Sequence, residues 1–466
     1  MVDQVDQQIE QIYTKCLAQG AYFIESDGEA AVIDPLRETD PYLERAAEKG
    51  VKIKYIFETH FHADFVSGHL SLAKKTGAEI VYGPGAETSY DKYDAKDGET
   101  FKVGKLTIKV LHTPGHTPES TSYLLINEDG KQEAIFTGDT LFIGDVGRPD
   151  LAQKSTGLTS EDLAGWMYDS LREKIMPLDD HIIVYPAHGA GSACGKSMSK
   201  ETFDTLGNQK KTNYALDPNM DKATFIKTLV TGLNTPPAYF SKNAKINKEG
   251  YKDYEDIMQD SVKSLSISDF ENLMKKDDVM ILDVRDKMAF AQKHIPGSIC
   301  IGIDGGFAPW VGEIISDINQ KLILVTPQDQ EEEVITRLSR VGYDNTLGFL
   351  AGGIDAWEKA KKTSNSYETL DLASLEERYN EEIQIIDFRK PSEFADGHIA
   401  TSKNIPLSEI HSRWGEIDPN KELIIHCRSG YRSTIAGSIL AQKGYKYSNV
   451  VVLFPEIESS KVPTKS

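Results

Sequence analysis

Thr59-His-Phe-His-Ala-Asp-Phe65 follows the apolar run Ile53-Lys-Tyr-Ile-Phe57, and the reading of these seven residues decides the fold of the first half of the chain. Residues within a strand alternate faces, but where a strand ends the chain turns, so His60 and His62 can converge on one ion while Asp64 reaches in from the loop. Three more apolar segments end in donors of the same kind: Leu111-His-Thr-Pro-Gly-His116, Ala134-Ile-Phe-Thr-Gly-Asp139 and Tyr185-Pro-Ala-His188. One such histidine says little, because most are hydrogen-bonded core or surface residues. Four such positions in succession, with seven of the eleven histidines before residue 190, predict a metal centre assembled at strand ends. Strand-like Ala30-Ala-Val-Ile-Asp34 and Leu106-Thr-Ile-Lys-Val110 alternate with helical Pro41 to Lys49 and Gly68 to Lys75, so the surrounding fold is mixed α and β.

At 466 residues the chain exceeds a single ordinary core. Apolar residues at 39% and charged residues at 27% fit a folded globular protein. The excess of 72 Asp and Glu over 52 Lys and Arg, a formal charge of -20, disfavours binding to nucleic acid or anionic lipid. Met1 to Gln11 carries neither a basic nor an apolar leader pattern, no apolar run approaches a membrane span, and the four cysteines form no CxxC pair. A cytoplasmic protein with single working thiols is expected.

A polar stretch near Ser241 to Gly250 places the first boundary at about residue 250, and beyond it the sequence repeats itself. Leu282-Asp-Val-Arg-Asp-Lys-Met-Ala-Phe290 with His294-Ile295 matches Ile386-Asp-Phe-Arg-Lys-Pro-Ser-Glu-Phe394 with His398-Ile399, at a constant offset of 104 residues. The expected domains are therefore 1-250, 251-363 and 364-466. In the last copy, His426-Cys-Arg-Ser-Gly-Tyr-Arg432 lies between a strand and a helix. Six residues from Cys427 to Arg432 can curl so that the N–H groups of Arg428, Ser429, Gly430, Tyr431 and Arg432 cradle an anionic sulfur or oxyanion. The middle copy has Thr326-Pro-Gln-Asp-Gln-Glu-Glu-Glu333 instead, with no nucleophile and an acidic rim.

The order of the first four motifs resembles the metallo-β-lactamase fold, an αββα sandwich, over about residues 10 to 200. Dinuclear hydrolases of that fold carry HxHxDH, whereas Phe65 stands at the last position here, and a phenyl ring has no lone pair to offer a second metal. Mononuclear occupation is the expectation. His112-Thr-Pro-Gly-His-Thr-Pro118, Phe136-Thr-Gly-Asp-Thr140, Gly147-Arg-Pro-Asp150 and Tyr185-Pro-Ala-His188 resemble the persulfide dioxygenases. That resemblance implies one Fe(II) per chain on His60, His116 and Asp139, with His62, Asp64 and His188 either orienting those ligands or binding metal themselves. Two imidazoles and a carboxylate leave octahedral positions open for dioxygen beside a sulfur substrate, chemistry closed to redox-inert zinc. Arg148 is a candidate for holding the anionic end of a substrate, or a structural partner of Asp145 or Asp150. Cys194, six residues after His188, is a candidate for sulfur handling, or a small buried residue.

The Cys427 loop resembles the rhodanese active loop, CxxGxR, and the flanking Asp387, Arg389 and Gly397 to Ile399 match that family better than phosphatases with a comparable loop. The middle copy resembles an inactive rhodanese that buries surface and spaces the active modules. Taken together, the two rhodanese-like α/β domains after the sandwich resemble the CstB-type multidomain persulfide dioxygenase-sulfurtransferases. Implied partners are thiol persulfides of glutathione, coenzyme A, cysteine or bacillithiol type, dioxygen and sulfite, in a homo-oligomer. A dinuclear zinc thioesterase joined to rhodanese, and a non-catalytic persulfide carrier, are the alternatives.

Overall fold

The computed structural model describes residues 8–151, 157–233 and 235–465, so the first seven residues of the polar Met1 to Gln11 stretch lie outside it. By compactness the chain forms two units, Met1–Asp256 with Ser339–Gly342, and Ile257–Leu338 with Tyr343–Ser466.

The first unit holds two six-stranded sheets. One runs in chain order through β1 (Ile9–Thr14), β2 (Gln19–Ser26), β3 (Glu29–Ile33), β4 (Lys52–Glu58), β5 (Glu79–Tyr82) and β6 (Tyr93–Asp94). The other contains β7 (Thr100–Val103), β8 (Leu106–His112), β9 (Thr121–Ile126), β10 (Gln132–Gly138), β11 (Ile183–Pro186) and β12 (Asp204–Thr205). Alternation dictates the layering. Tyr22, Ile24, Ala31, Ile33 and Phe57 of the first sheet share a core with Val110, Tyr123, Leu125 and Phe136 of the second. Their neighbours Ala21, Phe23, Ala30 and Val32 point the other way and pack on α1 (Asp40–Lys49) and α2 (His69–Thr76). On the far side, Leu124, Ile135 and Val184 meet Ala164 and Met167 of α3 (Ser160–Ser170). The result is the αββα sandwich. Each fully buried Phe or Tyr of the central layer contributes about 1.5–3 kcal/mol relative to exposure.

Strand direction then gathers the functional loops. β8 and β10 both run antiparallel to β9, and β11 runs parallel to β10, so the segments leaving β8, β10 and β11 emerge at one edge of the sandwich. Gly138, at the end of β10, has φ 53°, and a Cβ there would lie 2.6 Å from the Thr59 side chain. Glycine at this position lets Asp139 approach the loop after β4.

The second unit contains two five-stranded sheets with matching crossovers. The first has the order β13 (Ser264–Leu265), β17 (Thr346–Leu350), β16 (Lys321–Val325), β14 (Val279–Asp283), β15 (Ile299–Cys300). The second has β18 (Glu368–Leu370), β23 (Ser448–Val450), β22 (Leu423–His426), β19 (Gln384–Asp387), β21 (Lys403–Asn404), while β20 (His398–Ile399) pairs with β24 (Thr464–Lys465). All pairs within the five-stranded sheets are parallel. Parallel strands need both faces covered, which explains unbroken apolar runs such as Leu423-Ile-Ile.

The sequence repeat is also a repeat of contacts. Arg285 Nη2 lies 2.6 Å from Asp283 Oδ2 and donates to the Lys293 carbonyl, as Arg389 Nη2 lies 2.7 Å from Asp387 Oδ2 and donates to the Gly397 carbonyl. His294 stacks on Phe290 and His398 on Phe394. The shared Asp-x-Arg and His motifs therefore brace the turn after a central strand. In the segment Leu453 to Glu458, Phe454 is buried, stacks on His426 and lies under the Arg389 guanidinium.

Candidate metal centre and sulfur-transfer loop

The loop after β4 is held from several sides. Asp34, at the end of β3, accepts from Thr59 N and from Thr59 Oγ1, both at 2.8 Å, and Thr59 Oγ1 is 2.9 Å from His60 Nδ1. The His60 ring is thereby fixed with Nε2 facing the centre. From α4 (Phe240–Glu249), the buried Asn247 side chain donates to the carbonyls of His62 and Phe65, each at 2.8 Å, and accepts from Ser67 N. His116 is oriented by the Arg148 carbonyl, 2.8 Å from Nδ1.

His60, His116 and Asp139, the set the resemblance implied, come together in the structure. Asp139 Oδ2 lies 3.9 Å from His60 Nε2 and 3.4 Å from His116 Nε2, and all three residues are at most 2% exposed. Asp139 Oδ2 has no hydrogen-bond partner. An orphaned carboxylate oxygen facing two ring nitrogens is a donor set suited to a cation. Burial, with His62 beside it, pushes the His60 pKa well below its usual value, leaving the neutral imidazole that a metal requires. For Asp139 burial works upward, but the charge and hydrogen bond of His188, with His116, outweigh it and hold the carboxyl ionised.

The three accessory candidates separate. His62 does not reach the centre: its Nε2 lies 3.1 Å from Asp34 Oδ1 and 3.6 Å from Glu58 Oε2, and Phe65 covers its ring at 4.3 Å between centroids. The convergence of His60 and His62 on one ion, expected from the strand end, is therefore corrected, because the turn swings the second ring toward the carboxylates under the sheet. His188 does orient a ligand, with Nδ1 2.7 Å from Asp139 Oδ1. Its Nε2 lies 2.8 Å from Asp64 Oδ2. Burial opposes protonation of His188, but Asp139 and Asp64 prevail and raise its pKa well above the usual value. Asp64, His188 and Cys194 bring donor atoms within 4.8 Å of one another. Burial, with Asp64 and Asp139 nearby, drives the Cys194 thiol well above its ordinary range, which disfavours a free nucleophile there.

Arg148 is the structural partner of Asp150: Nε and Nη2 donate to its carboxylate at 2.6 and 2.7 Å, and the residue is 5% exposed. This bidentate pair matches the structural alternative, and the Arg148 carbonyl also meets His116 Nδ1 at 2.8 Å. His69 sits buried 3.3 Å from Glu58, His112 bonds the Pro118 carbonyl and His181 the Gln132 carbonyl, so these three histidines are engaged away from the centre.

In the second unit Cys427 follows β22 and precedes α5 (Tyr431–Gln442). Gly430 N–H donates to its Sγ at 3.2 Å and Ser433 Oγ lies 3.5 Å away. Gly430 has φ 88°, the left-handed turn that curls the loop back on the sulfur. Arg428 is exposed and Ser429 half-buried. Arg432 and Tyr431 are engaged elsewhere: Arg432 pairs with Glu393 at 2.6 and 2.8 Å, and Tyr431 Oη donates to the Gly302 carbonyl. Both were expected to face the cradle with their backbone N–H groups. Their side-chain tips are held by the Gly302 carbonyl and by Glu393, while the Gly430 N–H meets the Cys427 sulfur. Lys287 of the middle copy donates to the Ser429 carbonyl at 2.8 Å, and a cavity of about 260 Å³ opens among Lys287, Asp286, Asp304, Ser429 and Tyr431. The middle copy is thus part of the active loop's surroundings, which its reading as a spacer missed.

Two facing sheets that pool strand-end donors in one buried centre, followed by a strand-to-helix cysteine loop, define a metallo-β-lactamase-type metal centre joined to a rhodanese-type module. A family model of the metallo-beta-lactamase superfamily matches residues 15–188, and the rhodanese-like domain model matches residues 266–360 and 371–454. The solved structure of a metallo-beta-lactamase from Staphylococcus aureus subsp. aureus COL is 34% identical with a TM-score of 0.64, covering 74% of this chain and 98% of that one. The chain belongs to the metallo-beta-lactamase superfamily and carries two rhodanese-like domains in addition. The human mitochondrial persulfide dioxygenase ETHE1 is 32% identical over 162 residues, covering 34% of this chain and 59% of that protein. Hydroxyacylglutathione hydrolase GloC of Haemophilus influenzae is 26% identical over 196 residues, covering 37% and 86%. Among the described residues no helix is long and apolar enough to cross a membrane.

Sequence reading missed Asp34, Asn247 and Lys287. Asp34 carried a usable signal: it ends an apolar strand as the ligands do, and it adopts φ 50°, a cost of order 1–3 kcal/mol for a residue other than glycine. The other two act across more than 140 residues of sequence and leave no local trace.

Proposed function

We propose that this chain is a non-haem Fe(II) persulfide dioxygenase coupled to a rhodanese sulfurtransferase. The observation that carries the reading is the buried convergence of His60 Nε2, His116 Nε2 and Asp139 Oδ2, with Phe65 in place of a further ligand. Similarity to persulfide dioxygenase ETHE1 supports it. One Fe(II) held there would supply the electron transfer that lets dioxygen oxidise a persulfide sulfur. The balance is RSSH + O2 + H2O giving RSH and sulfite with two protons; the outer sulfur loses four electrons and dioxygen gains them.

The residues hold this chemistry in place. Thr59 and the Arg148 carbonyl fix the two imidazoles with Nε2 inward, and His188 holds Asp139 ionised. At the second site the Cys427 thiolate takes the outer sulfur of another persulfide and releases RSH. Sulfite then attacks that sulfur, the Cys427 S–S bond breaks, and thiosulfate leaves with the thiolate restored. The Gly430 N–H and the start of α5 stabilise the anionic sulfur in between. The substrates are thiol persulfides of glutathione, coenzyme A, cysteine or bacillithiol type, and the site of action is the cytoplasm.

Metal analysis with oxygen uptake on glutathione persulfide tests the first half. Iron near one per chain with oxygen consumed is expected. A second reading, a dinuclear zinc hydrolase, is favoured by the likeness to GloC and requires two zinc ions and turnover without oxygen. For the second half, Cys427→Ser should leave oxygen uptake within about twofold of the parent and turn the product from thiosulfate to sulfite. An unchanged thiosulfate yield would exclude Cys427.

A further inference from the structure

Lys287 belongs to the copy without a nucleophile, and none of the motifs shared by the two copies accounts for it. Asp283, Arg285, Phe290 and His294 recur as Asp387, Arg389, Phe394 and His398, but at the same offset Lys287 corresponds to Pro391. The half-buried Lys287 opens the helix Lys287–Gln292 and donates from Nζ to the Ser429 carbonyl at 2.8 Å. Among the described residues no carboxylate forms an ion pair with that ammonium, and the adjacent Asp286 caps the helix by accepting from Met288 N at 2.7 Å. The Ser429 carbonyl and the Gly430 N–H are the two ends of one peptide group, and a planar trans peptide points them in opposite directions. At the far end Gly430 N–H donates to Cys427 Sγ at 3.2 Å. Ammonium, peptide and sulfur thus stand in one line of hydrogen bonds.

We infer that Lys287 is a positioning residue for sulfur transfer, through which the nucleophile-free copy supplies positive charge to the Cys427 sulfur by way of the Ser429–Gly430 peptide. The inference rests on the reading of the Cys427 loop as a sulfur-transfer site. A cation on the carbonyl oxygen draws electron density through the amide and strengthens the bond that its N–H makes. The gain falls on anionic sulfur, the thiolate before transfer and the persulfide after it, and far less on a neutral thiol. The loop's own arginines are placed differently: Arg432 is paired with Glu393 at 2.6 and 2.8 Å, and Arg428 is exposed. Asp286 and Asp304 line the same cavity of about 260 Å³ and oppose the lysine's charge, but Lys287 is the group bonded to the peptide.

The experiment compares the full chain with Lys287→Met, which keeps the length and removes the charge, and Lys287→Arg, which keeps the charge. At neutral pH the Cys427 thiolate displaces iodide from iodoacetamide, and mass spectrometry follows the Cys427 peptide apart from Cys16, Cys194 and Cys300. Lys287→Met should slow that alkylation about fivefold, as a hydrogen bond to an anion gives up part of its charge assistance. Lys287→Arg should stay within about twofold of the parent, since the guanidinium restores a cationic donor. Turnover should divide in the same way: kcat for thiosulfate formation falls in the methionine variant while KM for glutathione persulfide holds, because Lys287 does not touch the substrate. Equal alkylation in the parent and Lys287→Met, or equal slowing in the methionine and arginine variants, would overturn the inference. A parent that makes no thiosulfate would sink the sulfur-transfer reading instead, and the alkylation comparison would still decide what Lys287 does to the sulfur.

Discussion

Thr59 makes the sharpest demand of any residue at the centre, because one hydroxyl joins Asp34 to His60 Nδ1. Thr59→Val keeps the shape and removes that link. Partners behind a ligand typically govern 10–100-fold in metal affinity, so iron should be lost about that much more readily to a chelator, with folding reduced by about 1–3 kcal/mol for the unpaired Asp34 oxygen. Iron retention equal to the parent would show that Thr59 does not orient His60. This residue also marks how far the sequence could be read. The four strand-end positions were legible because each ends its own apolar run, a pattern visible in one dimension, whereas the choice of His60, His116 and Asp139 among them came from the resemblance to the persulfide dioxygenases. The partners of His62 were not, since only the folded turn decides whether its ring faces the centre or Asp34 and Glu58. Side-chain tips such as those of Tyr431 and Arg432 are equally unreadable, because Gly302 and Glu393 arrive from distant segments.

At the scale of the element, the two five-stranded sheets were readable from a repeat that preserves whole motifs at fixed spacing. The contact of one copy with the other's loop was not. Lys287 and the Gly302 to Gly305 turn touch the Cys427 loop at Ser429 and Tyr431. A Cβ at Gly305 would lie 2.2 Å from the Tyr431 ring. Gly305→Ala should displace that ring and lower thiosulfate formation several-fold, and Lys287→Ala should act in the same direction by freeing the Ser429 carbonyl. Oxygen uptake should stay near the parent level in both. Thiosulfate formation unchanged in both variants would return the middle copy to the part of a spacer.

At the scale of the molecule, the proposed function has a testable consequence, because joining its two sites covalently would change what escapes without any new contact. A mixture of His116→Ala and Cys427→Ser chains contains every working part, but sulfite must pass between molecules. At dilute protein it should release severalfold more free sulfite than the parent at matched site concentrations. Equal partition between sulfite and thiosulfate would mean that linkage confers no advantage. The order of modules was readable from the sequence alone, since each announces itself by an uninterrupted block of motifs.

The Gly305 to Tyr431 fit also bears on how such a chain can change over generations. A duplicate that has lost its nucleophile is usually free to decay, yet this one carries a socket for its sibling's tyrosine. Any larger side chain at Gly305 would meet that ring, so shape restricts this turn although its own loop carries no cysteine.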